Sequence, residues 1–600
     1  MSGWSGPMIL SLIARTYAAI GDTARAIEFQ RRVDAVLETQ LELNLAIGSE
    51  RQRRAFADSM SDRTDRTISL SLYQAPDQPD ATALAALVLL QRKGRVLDAM
   101  TDTLAAVRRR AGDPADQGLI DQLGATMAQL ARVALSRPED MAPTDHQRLI
   151  KELEEKREKL EAQINDRDAE FRARSQTVTV AAVQAAIPDG AAFLEFAVFR
   201  PFDPKASSNN TAYGKPHYAA YVIRRRTPPR GHDLGPAAGI DEAIDALRQA
   251  LRDPGRKDVK ALARAVDAKV LAPIRALAGD ATRLVVSPDG ELSLIPFEAL
   301  VDDRDHYAIE RYAINYVTSG SDLLRMQVAR EARSAPTIVA DPLFGEPAPS
   351  VAGEPRETTP RLAASVRRSV TTAPDLSTVY FARLAGTADE ARAIKALFPD
   401  ARVLNGRNAS KSALLHLEAP RILHIATHGF FLDDPGGPAA SAALPGQTRA
   451  INATTRVENP LLRSGLALTG ANLTKGATDE GILTALEASN LNLWGTKLVT
   501  LSACDTGVGE VRNGEGVYGL RRAFFLAGAE TLVMSLWPVS DFVTRQMMSA
   551  YYAGLKDGRG RGDALRDAQL AMLARTNRQH PFYWASFIQA GEWANLDGVR

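Results

Sequence analysis

The sequence predicts an α/β protein: a largely parallel sheet flanked by helices, preceded by a smaller α/β layer and an N-terminal α-helical region. Three observations lead there. The C-terminal part alternates short apolar runs with amphipathic segments, the pattern of a parallel sheet covered on both faces. From about Thr177 to Arg333, strand-like runs such as "AAFLEFAVF" and "HYAAYVIRR" mix with helical segments. From Ile9 to about Ser136, apolar residues recur at helical spacing.

Bulk properties bound the function. A chain of 600 residues is too long for one core. The expected segments are 1–140 (helical region), 141–176 (connecting helix), 177–333 (smaller α/β subdomain) and 334–600 (the main sheet). Lys plus Arg (73) nearly cancels Asp plus Glu (72), so no electrostatic footprint for nucleic acid or an acidic membrane is expected. The longest apolar run, Ala83 to Leu90, is far shorter than a membrane span. No basic segment precedes the apolar residues at the N-terminus, which argues against a signal peptide. A single cysteine forms no internal disulfide, and a cytoplasmic setting follows as the default. The eight histidines are scattered, so neither a metal site nor a cofactor is expected.

Taken in order, "LIARTYAAIGDTARAIEFQRRV" has the offsets of one tetratricopeptide-like helical hairpin: Tyr17, the Gly21-Asp22 turn and Ala26. Gln30 replaces the second aromatic of that pattern. Leu87 to Val107 repeats the helix–glycine–helix build without the signature. Leu153, Leu160, Ile164 and Phe171 form a narrow apolar seam on a long charged helix. In the smaller layer, helices are expected around Glu242–Leu251 and Lys260–Leu277, and "RLVVSPDGELSLIPFEAL" holds a strand and a Pro-Asp-Gly turn. The main sheet is expected from "PTIVA", "ARVLN", "RILHIAT", "KLVTLSA" and "ETLVMSL". Helices such as "TADEARAIKALF" and "GVYGLRRAFFLAG" connect them.

Reactive groups in such sheets gather at the carboxyl ends of the strands. His428 follows "RILHIAT", and Cys504, the only cysteine, follows "KLVTLSA". A lone cysteine is often just a small buried hydrophobe. What changes the reading is a set of ordered blocks: "HIATHGF", "NPLLRSGLALTGAN", "GILTALEASNL", "KLVTLSACDTGVGE", "GEGVYGLRRAFFLAGAETLVMSLWPVSD" and "PFYWASFIQAGE". Together they resemble the CHAT domain, the bacterial branch of the caspase–separase peptidases, commonly found behind tetratricopeptide repeats. The resemblance covers roughly Ala182 to the C-terminus and implies a caspase-like sheet with a catalytic histidine–cysteine dyad, here His428 and Cys504.

The chemistry fits those residue types. A free thiol titrates near ~8.5, and a neighbouring imidazole can deprotonate it and later protonate the leaving amine. Backbone donors for the tetrahedral oxyanion are expected from Gly429 and Cys504. The insertion "LDDPGGPAASAALPGQTRAINATTRVENP", between the dyad residues, would serve as a lid or a cleavable loop.

Substrate contacts are expected from Asp341, Ser502 and Trp537. Relatives that cut after basic residues carry one acid at the end of the first strand and another two positions before the cysteine. Asp341 occupies the first position, where it either caps a turn or gives a Lys or Arg preference at P1, and Ser502 departs from the second. The sequence shows no arginine near the strand end at Asp341, as cleavage after Asp would need. Trp537 either walls the cleft or packs in the core, while Ser540 and Asp541 suit a helix start. His424, mid-strand, reads as a satisfied buried group. "GEGVYG" satisfies a dinucleotide pattern, but Gly514 begins ten residues beyond Cys504 and its glycines suit a turn.

These readings converge on an intracellular cysteine endopeptidase acting on protein substrates, without nucleic acid or membrane contact. A protein partner on the N-terminal helices would gate it. The rival class is a proteolytically silent scaffold using the same helices.

Overall fold

The computed structural model describes residues 5–45, 48–101, 114–135, 141–172, 178–208, 211–328, 330–345, 369–370, 380–432, 459–473, 481–503, 509–538 and 540–600. The chain forms two compact units. One holds residues 1–121, 158–329 and 511–516, the other 122–157, 330–510 and 517–600. Among the described residues, no helix is long and apolar enough to cross a membrane.

In the first unit, α1 (Ser5–Ile20) and α2 (Thr23–Leu45) form the hairpin expected from the sequence. Gly21 turns the chain at a φ of 82°, a conformation glycine adopts without a Cβ penalty. Fully buried Ala26 lets the helices close, and Tyr17 stacks on Phe29 at 5.6 Å. Gln30 is buried where the repeat pattern has an aromatic. Its amide donates to Asp34 at 3.2 Å and to the Thr67 hydroxyl at 3.0 Å, so burial leaves that donor satisfied.

The sheet of this unit contains β1 (Ala191–Phe199), β2 (His217–Arg224), β3 (Thr227–Pro236), β4 (Arg283–Ser287) and β5 (Ala313–Tyr316). Their order is β3-β2-β1-β4-β5, with β1 antiparallel to β2 and parallel to β4. β3, "TPPRGHDLGP", was not legible as a strand. Its prolines are tolerated because it lies at the edge of the sheet, where donors need no ladder partner. Lys93, at the end of helix Pro79–Arg92, reaches Glu195 of β1 at 2.7 Å, and both side chains are buried.

In chain order, the strands that follow are β6 (Thr337–Pro342), β7 (Ser369–Val370), β8 (Arg402–Gly406), β9 (Ile422–Ala426), β10 (His428–Phe431), β11 (Ser464–Ala467) and β12 (Ile482–Thr484). Then come β13 (Leu498–Leu501), β14 (Glu510–Arg512), β15 (Gly516–Tyr518), β16 (Thr531–Ser535) and β17 (Phe587–Gly591). The main sheet of the second unit runs β17-β16-β13-β9-β6-β8. All its neighbours are parallel except β17, which pairs antiparallel with β16.

β9, β13 and β16 are buried at every position, as central strands covered on both faces must be. That explains their continuous apolar sequences. His424 is the ionisable residue among them, and hydrogen bonding compensates its burial. Its Nδ1 lies 3.0 Å from the Tyr552 hydroxyl, and its Nε2 lies 3.0 Å from Glu390. Tyr552 in turn donates to Thr500 at 2.9 Å. A second sheet, β12-β11-β10-β7, was not anticipated as a separate element.

Candidate active site

β9 and β13 lie side by side, with Thr500 opposite His424 and Leu501 opposite Ile425. The Ser502 amide extends the ladder by donating to the Ile425 carbonyl at 2.9 Å. Beyond Ala426 the chain leaves the main sheet. Thr427 donates its hydroxyl to the Ala467 carbonyl, and His428 opens β10 opposite Ala467. This strand break puts His428 at the carboxyl end of β9, where the sequence suggested chemistry.

His428 is 3% exposed. The centroid of its ring is 5.3 Å from that of Phe344 and 5.6 Å from that of Phe381. Its Nε2 is 2.7 Å from the Ala382 carbonyl. A carbonyl only accepts, so Nε2 carries the proton, and in the neutral ring Nδ1 is the basic nitrogen. Asn472 fixes the segment that supplies this carbonyl. Its side chain accepts from the Phe381 amide and donates to the Phe381 carbonyl, each at 2.9 Å. Its own amide donates to the Phe344 carbonyl at 2.7 Å. Sequence reasoning missed Phe381, Ala382 and Asn472, because nothing local ties them to a histidine far along the chain.

Cys504 lies outside the described residues, which stop at Ala503 and resume at Gly509. The Ala503 carbonyl accepts the Ser535 hydroxyl of β16 at 2.6 Å. Gly429 is buried in β10, opposite Leu466. Ser502 is fully buried. Trp537 is 2% exposed and donates its indole N–H to the Phe582 carbonyl at 3.2 Å. Ser540 caps helix Asp541–Lys556, and Asp541 also accepts the Gly386 amide at 2.7 Å. Most of the insertion between His428 and Cys504, residues 433–458, is likewise outside the described residues.

Asp341 is the penultimate residue of β6, next to the site, since Ala340 pairs with Ala426. Its φ of 46° is unusual for a residue with a side chain. Its amide donates to the Thr387 hydroxyl at 3.0 Å. The expectation that no arginine stands at this strand end is corrected here. Arg383 grips the Asp341 carboxylate with Nε–H at 3.0 Å and Nη2–H at 2.8 Å. The pair is separated by 42 positions and invisible to local reading. The carboxylate raises the guanidinium pKa further through these hydrogen bonds.

The β14–β15 hairpin turns through Gly514, and its tip belongs to the first unit. The Gly514 amide donates to Asp289 at 2.7 Å, and the Gly514 carbonyl accepts the Gly94 amide at 2.7 Å. Asp289 also accepts the Val198 amide at 2.8 Å. Gly514 and Gly516 have φ of 74° and 79°, so "GEGVYG" shapes a turn. Among the described residues, no cluster of three or more His, Cys, Asp or Glu side chains stands ready to hold a metal.

A family profile described as the CHAT domain matches residues 260–592, more than half of the chain. Human tetratricopeptide repeat protein 28 is 26% identical over 326 residues, covering 52% of this chain and 12% of that protein. The chain therefore spans about an eighth of the length of this curated relative. Among solved structures, the RgpB pro- and mature-domain complex of Porphyromonas gingivalis is 10% identical, covers 61% of this chain and 78% of that one, and has a TM-score of 0.31. Separase from the Saccharomyces cerevisiae separase–securin complex is 8% identical, covers 98% of this chain and 53% of that one, and has a TM-score of 0.36.

Proposed function

Because the chain belongs to the CHAT domain family, we propose that it is a cysteine endopeptidase whose dyad is His428 and Cys504, gated through its N-terminal helices. One observation carries the reading: the register of β9 and β13. Ile425 pairs with Leu501, and His428 and Cys504 each follow their paired residue by three positions in sequence. An imidazole and a thiol at matching positions beyond adjoining parallel strands form a suitable base–nucleophile pair.

The Ala382 carbonyl holds Nε2–H and so keeps Nδ1 as the base. Nδ1 takes the thiol proton, and the thiolate attacks the scissile carbonyl. Backbone N–H groups of Gly429 and Cys504 receive the oxyanion. The imidazolium then protonates the departing amine. A water, deprotonated by the same Nδ1, hydrolyses the thioester and regenerates the thiol. Ser502 and Trp537 belong to the packed base beneath this edge, and Asp341 acts at its rim.

Gating is supported by the hairpin that begins six residues beyond Cys504, whose tip is hydrogen-bonded to Gly94 and Asp289. A partner bound to the helices would shift Gly94 and, through this hairpin, the segment that carries Cys504. α1 exposes Met8, Ile9, Leu12 and Ile20, apolar side chains available to such a partner.

The test is a comparison of newly formed protein N-termini in cells carrying wild type or Cys504→Ala. N-termini present only with wild type establish the peptidase. Identical sets, with the partner bound, favour the scaffold.

A further inference from the structure

We propose that Arg383 determines specificity and selects substrates with an acidic side chain at P1. The inference rests on the peptidase reading and adds the substrate class. It reverses the charge preference that Asp341 alone suggests.

Position comes first. Arg383 directly follows Ala382, whose carbonyl lies 2.7 Å from His428 Nε2. Asp341 lies near the carboxyl end of β6, the strand beside β9. The fork therefore stands at the rim of the site, on the same edge as the imidazole.

Charge comes second. The Asp341 side chain is 13% exposed, whereas that of Arg383 is 68% exposed. The acid lies beneath and the cation faces solvent. The fork uses two guanidinium N–H groups and leaves three of the five for another carboxylate. Bidentate anchoring also limits the rotamer freedom that binding would otherwise remove. A basic P1 side chain would instead have to displace Arg383 from a largely buried acid. A further carboxylate, that of Asp541, accepts the Gly386 amide.

Asp341 is thus a positioning residue, and Arg383 makes the contact. A charge-assisted hydrogen-bond pair of this kind predicts roughly a ten- to hundredfold preference for Asp over its isostere Asn.

The experiment uses the full chain and three peptide acyloxymethyl ketones that differ only at P1: Asp, Asn or Lys. Labelling of the single cysteine is followed by intact mass. The expected order is Asp, then Asn, then Lys. Arg383→Gln should abolish the Asp advantage over Asn, and Arg383→Glu should favour Lys. Asp341→Asn should lower the ratio of the Asp-probe rate to the Asn-probe rate, a ratio that a merely structural role would leave unchanged.

Equal rates for all three probes, or a Lys preference in wild type, would overturn the proposal and leave the peptidase intact. Labelling that is indifferent to both P1 and His428→Ala would overturn the peptidase reading and this proposal with it.

Discussion

The carbonyl of Ala382 lies 2.7 Å from Nε2 of His428, so a backbone acceptor orients the imidazole. This fixes the tautomer. Nitrogen-15 shifts of the His428 ring should show Nε2 protonated and Nδ1 unprotonated at about pH 8. Asn472→Ala should weaken that bias, because its side chain makes both hydrogen bonds to Phe381. The opposite tautomer would make Nδ1 a donor and disqualify it as the base.

The β14–β15 hairpin gives a second expectation. Asp289→Ala removes the acceptor of the Gly514 amide, so hydrogen exchange at Gly514 should accelerate by roughly tenfold or more. Peptide-probe labelling of Cys504 should fall by about tenfold as the hairpin that follows it loses its anchor. Faster exchange with unchanged labelling would separate the hairpin from the gate.

Much of this was legible in the sequence, for physical reasons. β9, β13 and β16 are continuous apolar runs because both faces are buried, and His428 announced itself by following one of them. Gln30, which breaks the repeat pattern, marks a buried polar contact that periodicity cannot foresee. The Asp341–Arg383 fork and the Gly94–Gly514 contact join residues far apart in sequence. β3 was hidden by prolines that only an edge position permits. The small sheet starting at His428 was missed because one residue, Thr427, separates it from β9.

Glu298 supplies a pH dependence. Burial pushes its carboxyl up to about 7, against which the Tyr316 hydroxyl donates a hydrogen bond at 2.6 Å. An acid with a raised folded pKa binds more protons folded than unfolded. Stability should therefore fall as pH rises from about 4.5 to about 7, by an amount on the order of 3 kcal/mol. Glu298→Gln should remove this slope, so that thermal unfolding of the two proteins diverges at pH 8 with the variant higher. Parallel melting curves across that range would refute the assignment.

The dyad itself is tested most directly by the pH dependence of Cys504 alkylation with iodoacetamide, a probe small enough to need no opened cleft. Only one cysteine is present, so intact mass reports it without ambiguity. In wild type, pairing with His428 should keep the thiolate populated and alkylation rapid below pH 7. In His428→Ala, the rate should collapse there and recover only near the ordinary thiol value of ~8.5. Superimposable profiles for the two folded proteins would contradict the account.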